Sequence, residues 1–417
     1  MFFTILLSYA YGILIEKIDN KRVRKILFIL TLSINIGLLC FFKYIDFIII
    51  NLNNLSKTKF DLFNIALPLG ISFYTFQNIS YICDVYTKKE KAQRNIINLA
   101  TYIFLFPQLI AGPIVRYNDI KNQLENRTHT FEKFSDGARR FIIGLSKKVL
   151  IANILGELAT TLMNNYEITV LGCWGYAISF TLQIYFDFSG YSDMAIGLGK
   201  IFGFEFLENF NYPYISKSIT EFWRRWHMSL SSWFKDYVYI PLGGNRNGII
   251  KQIKNILIVW VLTGIWHGAG WNFIIWGIYF GIILIFEKLF LLRILEKIPV
   301  IFRRIYTLII VLIGFVIFNS NNTNEIINIL NYMFIPLNKN IVNDYTMYYL
   351  KSNLILIAIS IFASTPILKN IILKLKEKNK YEKTINILEI IILPILLIIC
   401  TSYLIDNSFN PFLYFRF

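Results

Sequence analysis

Three histidines are the side chains of this chain best suited to acid–base chemistry near neutral pH, and their surroundings differ. His267 lies in the apolar run 259–271, where Trp260, Gly264 and His267 fall on one face of a helix. An ionisable ring there is costly unless it faces protein or a cavity, so a functional role is the default hypothesis. An uncharged imidazole can accept a proton, as a general base does. The alternative is a structural imidazole beside Gly264 and Gly268, which have the spacing of a helix-packing pair.

The other two histidines have stronger alternative explanations. His227 follows Arg224, Arg225 and Trp226, and these neighbours are equally typical of a segment anchored at the membrane interface. His129 lies in the polar run 127–130, which indicates an exposed ring without a chemical role. His227 is therefore kept as a second candidate and His129 is not.

One carboxylate and four cations complete the candidate site. Asp187 lies inside the aromatic run 185–193 and needs a partner there, although it could instead stabilise a helix break at Ser189 and Gly190. Four basic residues could attract a phosphate-bearing substrate or anchor lipid headgroups, and the sequence leaves both readings open: Arg224, Arg225, Lys235 and Arg246.

Motifs of other reaction classes are missing from the sequence. It contains no G-x-S-x-G elbow and no P-loop, and Phe202 follows Gly197 and Gly199 where a dinucleotide fingerprint requires a third glycine. No metal site is expected from three scattered histidines. The four cysteines are far apart in apolar sequence and are expected to be buried thiols: Cys40, Cys83, Cys173 and Cys400.

The composition places these residues in a membrane protein. The 417 residues are 55% hydrophobic, 17% aromatic and only 16% charged, which excludes a soluble globule. The net charge of +16 indicates cytoplasmic loops and contacts with anionic headgroups, so nucleic-acid binding is not expected.

Hydropathy predicts about ten or eleven transmembrane spans. Basic residues follow the first span, so it is expected to be retained, with an outside N terminus, and not to be a signal peptide. Pro68, Pro107 and Pro113 interrupt apolar runs. Such backbone indicates an interior with a cavity instead of a simple helix bundle. The predicted spans are 1–15, 26–50, 65–85, 96–114, 141–163, 170–188, 255–268, 271–292, 305–318, 353–368 and 385–405.

The interval 204–254 contains no apolar run long enough to span. Within it, residues 222–235 predict one short helix with an aromatic face and a cationic face, lying at the cytoplasmic interface. The chain is expected to be one domain, 1–417. Its parts are N-terminal helices (1–203), interfacial helices (204–254), the region of the His267 helix (255–292) and C-terminal helices (293–417).

Six motifs in order resemble the membrane-bound O-acyltransferase (MBOAT) family, and specifically its bacterial alginate O-acetyltransferase branch. They lie at 106–116, 186–193, 222–233, 239–246, 263–271 and 410–417. The resemblance implies an all-α membrane bundle around a central tunnel, in which an acyl group passes from a thioester to a hydroxyl. It also implies that His267, in the Trp-His-Gly signature, is catalytic and that His227, in Arg-Arg-Trp-His, is associated with activity.

The same resemblance implies substrates and partners. Trp226, Trp266, Trp271 and Asp187 would shape or support the tunnel, with no bound cofactor and with acetyl-CoA or another acyl thioester as donor. The acyl group would pass to an exported SGNH-type acetyltransferase that modifies an extracytoplasmic polysaccharide, at a bacterial inner membrane. Members of the branch usually begin with a further pair of hydrophobic segments before the span that matches residues 1–25 of this sequence, and that pair is not found here. We therefore expect either that the start was assigned late or that those peripheral helices are dispensable.

Two alternatives stay open at the level of the sequence. The related D-alanyl transfer protein of teichoic acid modification would take its acyl unit from a carrier protein. A transporter or channel would also have broken helices and polar groups near the midplane, although paired intramembrane carboxylates and an inverted repeat are not found in the sequence.

Overall fold

The computed structural model describes residues 1–110, 112–164, 167–406 and 412–413. The described residues form helices and no β-strand, which confirms the predicted all-α fold. The helices are α1 (Phe2–Lys17), α2 (Lys21–Ser56), α3 (Ile71–Tyr86), α4 (Ile96–Phe104), α5 (Phe106–Leu109), α6 (Tyr117–Glu125), α7 (Phe131–Ser146), α8 (Asn153–Met163), α9 (Val170–Ile201), α10 (Ile219–Arg225), α11 (Met228–Phe234), α12 (Ile249–His267), α13 (Trp271–Phe286), α14 (Leu292–Leu295), α15 (Val300–Asn319), α16 (Thr323–Phe334), α17 (Asp344–Ser352), α18 (Leu354–Ala363), α19 (Ile367–Lys376) and α20 (Asn379–Asp406).

Short irregular helical turns link several of these helices. π-Helical turns join α7 to α8 at Lys147–Ala152 and α13 to α14 at Glu287–Leu291. A third π-helical turn, Lys235–Tyr239, follows α11, and a 3₁₀ turn at Pro213–Ile215 precedes α10. π-Helical turns are often found at functional positions, and Lys235–Tyr239 lies between the two candidate histidines in the chain.

Five helical segments in the described part of the chain are long and apolar enough to cross a membrane: Lys21–Ser56, Ile249–His267, Trp271–Leu295, Val300–Asn319 and Tyr381–Asp406. A sixth is possible if α17 and α18, which meet at a 52° bend, form one broken span. This number is smaller than the predicted ten or eleven because several predicted spans form shorter helices. The predicted span 96–114, for example, is divided between the nine-residue α4 and the four-residue α5.

The predicted interruptions coincide with helix ends. Gly70, in the left-handed region at φ 71°, precedes α3, and Pro107 lies in the first turn of α5. By contrast, α9 is continuous through Ser189 and Gly190 for 32 residues, so Asp187 does not stabilise a helix break there.

Helices α7 and α9 pack with their backbones in contact. A Cβ atom added to Gly144 would lie 2.5 Å from the Gly190 carbonyl oxygen, and one added to Gly190 would lie 2.7 Å from that of Gly144. Gly137, seven residues before Gly144 on α7, and Gly197, seven residues after Gly190 on α9, repeat this geometry. A Cβ atom added to either of them would lie 2.6 Å from the carbonyl oxygen of the other. Small residues at such positions let membrane helices approach closely, so these four glycines position α9 and its Asp187.

Glycines also hold the helix that carries His267. A Cβ on Gly264 of α12 would lie 2.4 Å from the Phe273 carbonyl oxygen, and one on Gly277 of α13 would lie 2.4 Å from that of Trp260. The predicted packing role of Gly264 is therefore confirmed, and it coexists with the candidate site at His267.

The interval 204–254 differs from its prediction in one respect. The prediction of a single helix over 222–235 is wrong, because the helix is interrupted at Trp226 and His227, between α10 and α11. His227 adopts the left-handed conformation with φ 44°, which a continuous helix does not allow. The expected aromatic face is nevertheless buried, with Phe222 and Trp233 at 0% and 4% exposure.

Two further expectations concern the cysteines and the chain end. Cys173 and Cys400 are buried, Cys83 is half-buried and Cys40 is exposed, so the prediction of four buried thiols is wrong for Cys40. Cys40 lies on α2, most of whose surface faces outward. Of the motif at 410–417, only residues 412 and 413 are among the described residues, and residue 111 of the motif at 106–116 is also outside them.

Candidate functional site

His267 lines a small pocket with a cavity volume of about 30 Å³. Its walls come from distant parts of the chain, including Asp187 and Phe188 on α9, Trp226 between α10 and α11, and Trp276 on α13. Phe315 and Phe318 on α15 and the described residues Phe412 and Leu413 close the remaining sides. Mostly aromatic walls with a few polar groups, here one imidazole and one carboxylate, are the type of lining found in small-molecule sites.

Aromatic rings surround the His267 imidazole. Its ring centroid lies 5.0 Å from that of Trp266, 5.0 Å from that of Trp276 and 5.3 Å from that of Phe318. The rings of Trp276 and Phe318 meet the imidazole almost at right angles. Such edge-to-face contacts fix the plane of the imidazole and limit the water around it, which strengthens electrostatic interactions with a reactant.

Helix α2 caps the C-terminal end of α12, a contact that sequence reasoning missed. The Lys43 ammonium donates to the carbonyl oxygens of Trp266 at 2.7 Å and His267 at 2.9 Å, and the Tyr44 hydroxyl donates to that of Ile265. The last carbonyls of a helix have no intrahelical donor, so these bonds fix the end of α12. A signal was available, because Lys43 is an ionisable residue inside the predicted span 26–50.

His227 lies in a separate buried cluster and is 2% exposed. Its Nδ1 atom lies 3.0 Å from Oδ1 of Asn209, which precedes α10 in the chain. Burial lowers the pKa of His227 to about 3, so its ring is neutral at physiological pH. Asn209 was not predicted, and no pattern in the sequence distinguishes it from other loop asparagines.

Asp187 has the partner that its position required. Its Oδ1 atom accepts a hydrogen bond from the Lys148 ammonium, with the two side chains 4% and 7% exposed. Oδ2 accepts from the backbone N–H of Leu413 at 3.0 Å, and the Lys148 ammonium lies 4.8 Å from the ring centre of Phe412. A buried carboxylate is tolerable only with such pairing. Lys148, inside the predicted span 141–163, was missed despite being ionisable there.

The predicted tryptophans occupy different places. Trp226 lines the pocket and is 5% exposed. Trp266 is also buried, and its ring contacts both imidazoles, at 5.0 Å from that of His267 and 6.3 Å from that of His227. Trp271 is 56% exposed, and its indole N–H donates to Asn51 Oδ1 at 3.0 Å. Trp271, the first residue of α13, is not among the described residues that line the pocket, whereas Trp276 is.

The four predicted cations do not meet the histidines. Arg225 pairs with Glu221 at 2.9 Å and donates to the Asn211 carbonyl oxygen at 3.1 Å. The other three are exposed, and none of the four is among the described residues that line the pocket: Arg224, Lys235 and Arg246. These cations lie on the surface of the interval 204–254 instead.

The arrangement can support proton transfer in a dry pocket. A neutral imidazole on the wall can take a proton from a reacting hydroxyl when both reactants are held beside it. Within the part of the chain that the structure describes, no group of three His, Cys, Asp or Glu side chains could hold a metal ion. His129 is exposed, far from this chemistry.

The sequence model of the membrane-bound O-acyltransferase family matches residues 92–324. This interval includes both candidate histidines, Asp187 and Lys148. The interval begins after α3, so it excludes Lys43.

Similar curated proteins are named for the acylation of alginate, peptidoglycan or teichoic acid. The chain is 46% identical over 299 residues to the probable alginate O-acetylase AlgI of Azotobacter vinelandii, covering 70% of this chain and 60% of that protein. It is 37% identical to the peptidoglycan O-acetyltransferase of Helicobacter pylori, covering 67% and 59%. It is 34% identical to the teichoic acid D-alanyltransferase of Bacillus subtilis, covering 54% and 61%. The chain thus spans about 60% of the length of these relatives.

Proposed function

Because this chain belongs to the membrane-bound O-acyltransferase family, we propose that it moves an acyl group from a thioester to a hydroxyl inside the membrane. The family resemblance, including that to the alginate O-acetyltransferase-like branch, is confirmed by these relatives. The observation that carries the proposal is the position of His267 on the wall of an aromatic pocket. A transporter would not need an imidazole held edge-on by three aromatic rings.

His267 is the proposed general base. The hydroxyl oxygen of the acceptor attacks the thioester carbonyl carbon while its proton passes to the imidazole. The carbon–sulfur bond then breaks, and the imidazolium returns the proton to the departing thiolate. Trp266, Trp276 and Phe318 hold the ring for this transfer, and Lys43 holds the end of α12 that carries it.

Acetyl is the proposed acyl group, with acetyl-CoA or an acyl carrier protein as the cytoplasmic donor. The relatives named for O-acetylation match over a larger share of this chain, 70% and 67%, than the D-alanyltransferase, at 54%. The exposed cations of 204–254 would attract the phosphates of such a donor. Because they lie outside the pocket, their proposed role is capture of the donor and not catalysis.

An extracytoplasmic polysaccharide is the proposed final acceptor. Relatives are named for alginate and for peptidoglycan, and both polymers contain polysaccharide chains. An exported SGNH-type acetyltransferase is proposed to receive the acyl group, and a bacterial inner membrane is the proposed location of this multi-pass protein. We further propose that 1–417 acts as one domain, since the pocket draws residues from α9, α12, α13, α15 and position 412.

The test measures transfer of radiolabelled acetyl from acetyl-CoA in membranes that contain the full chain. His267→Gln keeps a polar side chain of similar size but removes the base, and it should lower the transfer rate by about 10²–10⁴-fold. His129→Gln is the matched control, since His129 is exposed in a loop. Equal transfer by His267→Gln and the unsubstituted protein would rule out the proposed base.

The acyl group is tested separately by mass analysis of cell-envelope glycans with and without the gene. Loss of the acetyl increment is the expected result. Loss of ester-linked alanine instead would assign the protein to D-alanyl transfer, and unchanged glycans would contradict both assignments.

A further inference from the structure

Asn209 lies at the centre of a buried hydrogen-bond cluster next to the pocket. Its Oδ1 atom accepts from the backbone N–H of Ser229 at 3.3 Å and from the Ser229 hydroxyl at 2.9 Å, and it lies 3.0 Å from Nδ1 of His227. Its Nδ2 amide donates to the Ser192 hydroxyl at 3.1 Å. Asn209, Ser192, Ser229 and His227 are each at most 3% exposed, so water does not replace these bonds.

The cluster determines which way the Asn209 amide faces. The Ser229 backbone N–H can only donate, so the atom opposite it must be the amide oxygen. The Ser229 hydroxyl accepts from the backbone N–H of Ile114 at 3.0 Å, which leaves its proton to donate to the same oxygen. A flipped amide would place two donors against each other at this position.

The amide orientation in turn determines the protonation of the His227 ring. An amide oxygen can only accept, so the His227 nitrogen that faces it, Nδ1, must carry the hydrogen. A neutral imidazole carries one hydrogen, and burial keeps this ring neutral by lowering its pKa to about 3. Nε2 therefore has a lone pair and acts as a hydrogen-bond acceptor.

Nε2 of His227 is buried and has no hydrogen-bond partner among the residues that the structure describes. Buried acceptors without a partner are uncommon in folded proteins. The His227 ring packs against Phe188, with centroids 4.7 Å apart, and Phe188 lines the pocket. The Trp266 ring lies 6.3 Å from the His227 ring and also contacts His267. The Trp266 ring therefore neighbours both the His227 imidazole and that of His267, the proposed base.

We propose that Asn209 is a positioning residue that holds His227 in the tautomer with hydrogen on Nδ1, so that Nε2 accepts a hydrogen bond from an O–H or N–H group of a reactant. The inference rests on the proposed acyl transfer. Two reactants carry such a group: the acceptor has a hydroxyl, and the arm of a donor such as acetyl-CoA has amide N–H groups. A ring with hydrogen on Nε2 would present a donor there and could not accept a hydrogen bond from either group.

The tautomer can be measured without any assay of activity. Solid-state NMR of ¹⁵N-histidine-labelled protein in lipid bilayers should show hydrogen bound to Nδ1 of His227 and none on Nε2. The chain has only three histidines, so the signal missing from His227→Gln identifies the residue. Hydrogen on Nε2, or an equal mixture of both tautomers, would overturn the proposal, and it would do so whether or not the protein transfers acyl groups.

Substitutions of Asn209 then test what the tautomer does. Asn209→Leu removes the acceptor for Nδ1–H and should lower kcat/KM by roughly 10–100-fold, as expected for loss of a buried hydrogen-bond partner. Asn209→Asp keeps an acceptor for Nδ1–H and should recover most of that loss. A selective rise in the KM for acetyl-CoA would identify the donor arm as the bound group, whereas a fall in kcat alone would identify the acceptor hydroxyl.

Ser192→Ala is the matched control, because it removes the bond to Asn209 Nδ2 and leaves Oδ1 in place. It should keep the Nδ1–H signal and lose less activity than Asn209→Leu. Equal losses in Ser192→Ala and Asn209→Leu, or full activity in Asn209→Leu, would contradict the positioning role. If Asn209→Leu does not fold, the NMR measurement on the unsubstituted protein still decides the tautomer. No transfer by the unsubstituted protein would refute the proposed function but not the tautomer.

Discussion

Lys43→Met tests whether the cap on α12 positions the His267 imidazole. Methionine matches the length of lysine but cannot donate, so the carbonyl oxygens of Trp266 and His267 lose donors that lie 2.7 Å and 2.9 Å away. The Tyr44 bond to Ile265 would remain. The substitution therefore releases the carbonyl oxygens of the last two residues of α12 while Ile265 stays bonded to α2.

The two effects of Lys43→Met on the free energy of unfolding oppose each other. Loss of two charge-assisted hydrogen bonds costs about 3–6 kcal/mol, from about 1.5–3 kcal/mol each. Removing a lysine from a membrane span recovers about 2.5–3.5 kcal/mol. The net loss is thus expected to be about 0–3 kcal/mol, which is small enough for the protein to fold. Activity should respond more strongly, since a displacement of about 1 Å at a reacting group can cost about 10²-fold.

The assay compares acetyl transfer in membranes with the unfolding temperature of the purified protein. Lys43→Met should lose about 100-fold in transfer with a modest change in unfolding temperature, and Lys43→Arg, which keeps donors, should lose less. Lys25→Met is the control, because Lys25 is exposed on the same helix. Transfer within twofold of the unsubstituted protein, or equal loss in Lys25→Met, would refute the role of the cap.

Gly190→Ala would place a methyl carbon about 2.7 Å from the Gly144 carbonyl oxygen, so it should separate α7 from α9 and destabilise the protein by about 1–3 kcal/mol. An unchanged unfolding temperature would contradict that close contact. Asp187→Asn removes the carboxylate charge that Lys148 faces and should cost about 3–5 kcal/mol, part of which Asp187→Leu with Lys148→Met should recover. Thermal unfolding measures both, and a double variant less stable than Asp187→Asn would argue against the pair. Trp271→Phe should keep acetyl transfer within about twofold of the unsubstituted protein, since the ring is exposed. A large loss of transfer would show that Trp271 contributes to the site.

Hydropathy predicted spans at several places where the structure has shorter helices, for a physical reason. A window of apolar residues does not distinguish a helix that crosses the membrane from shorter helices packed inside the protein. Residues 96–114 satisfy the window, yet they form α4 and α5, separated at Leu105. The proline signals were more informative, because Pro107 acts through its own backbone geometry.

Helix formation in the interval 222–235 followed its local pattern only in part. The three- and four-residue spacing correctly predicted that Phe222 and Trp233 are buried. It did not predict the break at His227, where φ is 44°. There the Asn209 carbonyl oxygen accepts from the Met228 backbone N–H at 3.0 Å, and Asn209 Oδ1 lies 3.0 Å from Nδ1 of His227. Those contacts are made by a loop outside the window in which the periodicity is read.

By itself, the sequence determined that this is an all-α membrane protein, that it resembles the family to which it belongs, and that His267 lies in an apolar helix. These properties follow from hydrophobicity and spacing, which are local. Only the tertiary structure decided which polar groups meet. Lys43 reaches the end of α12 across more than 220 residues, as Lys148 reaches Asp187 across 39. Such pairs form because a charge buried in an apolar interior must find a partner, and the fold alone brings that partner within reach.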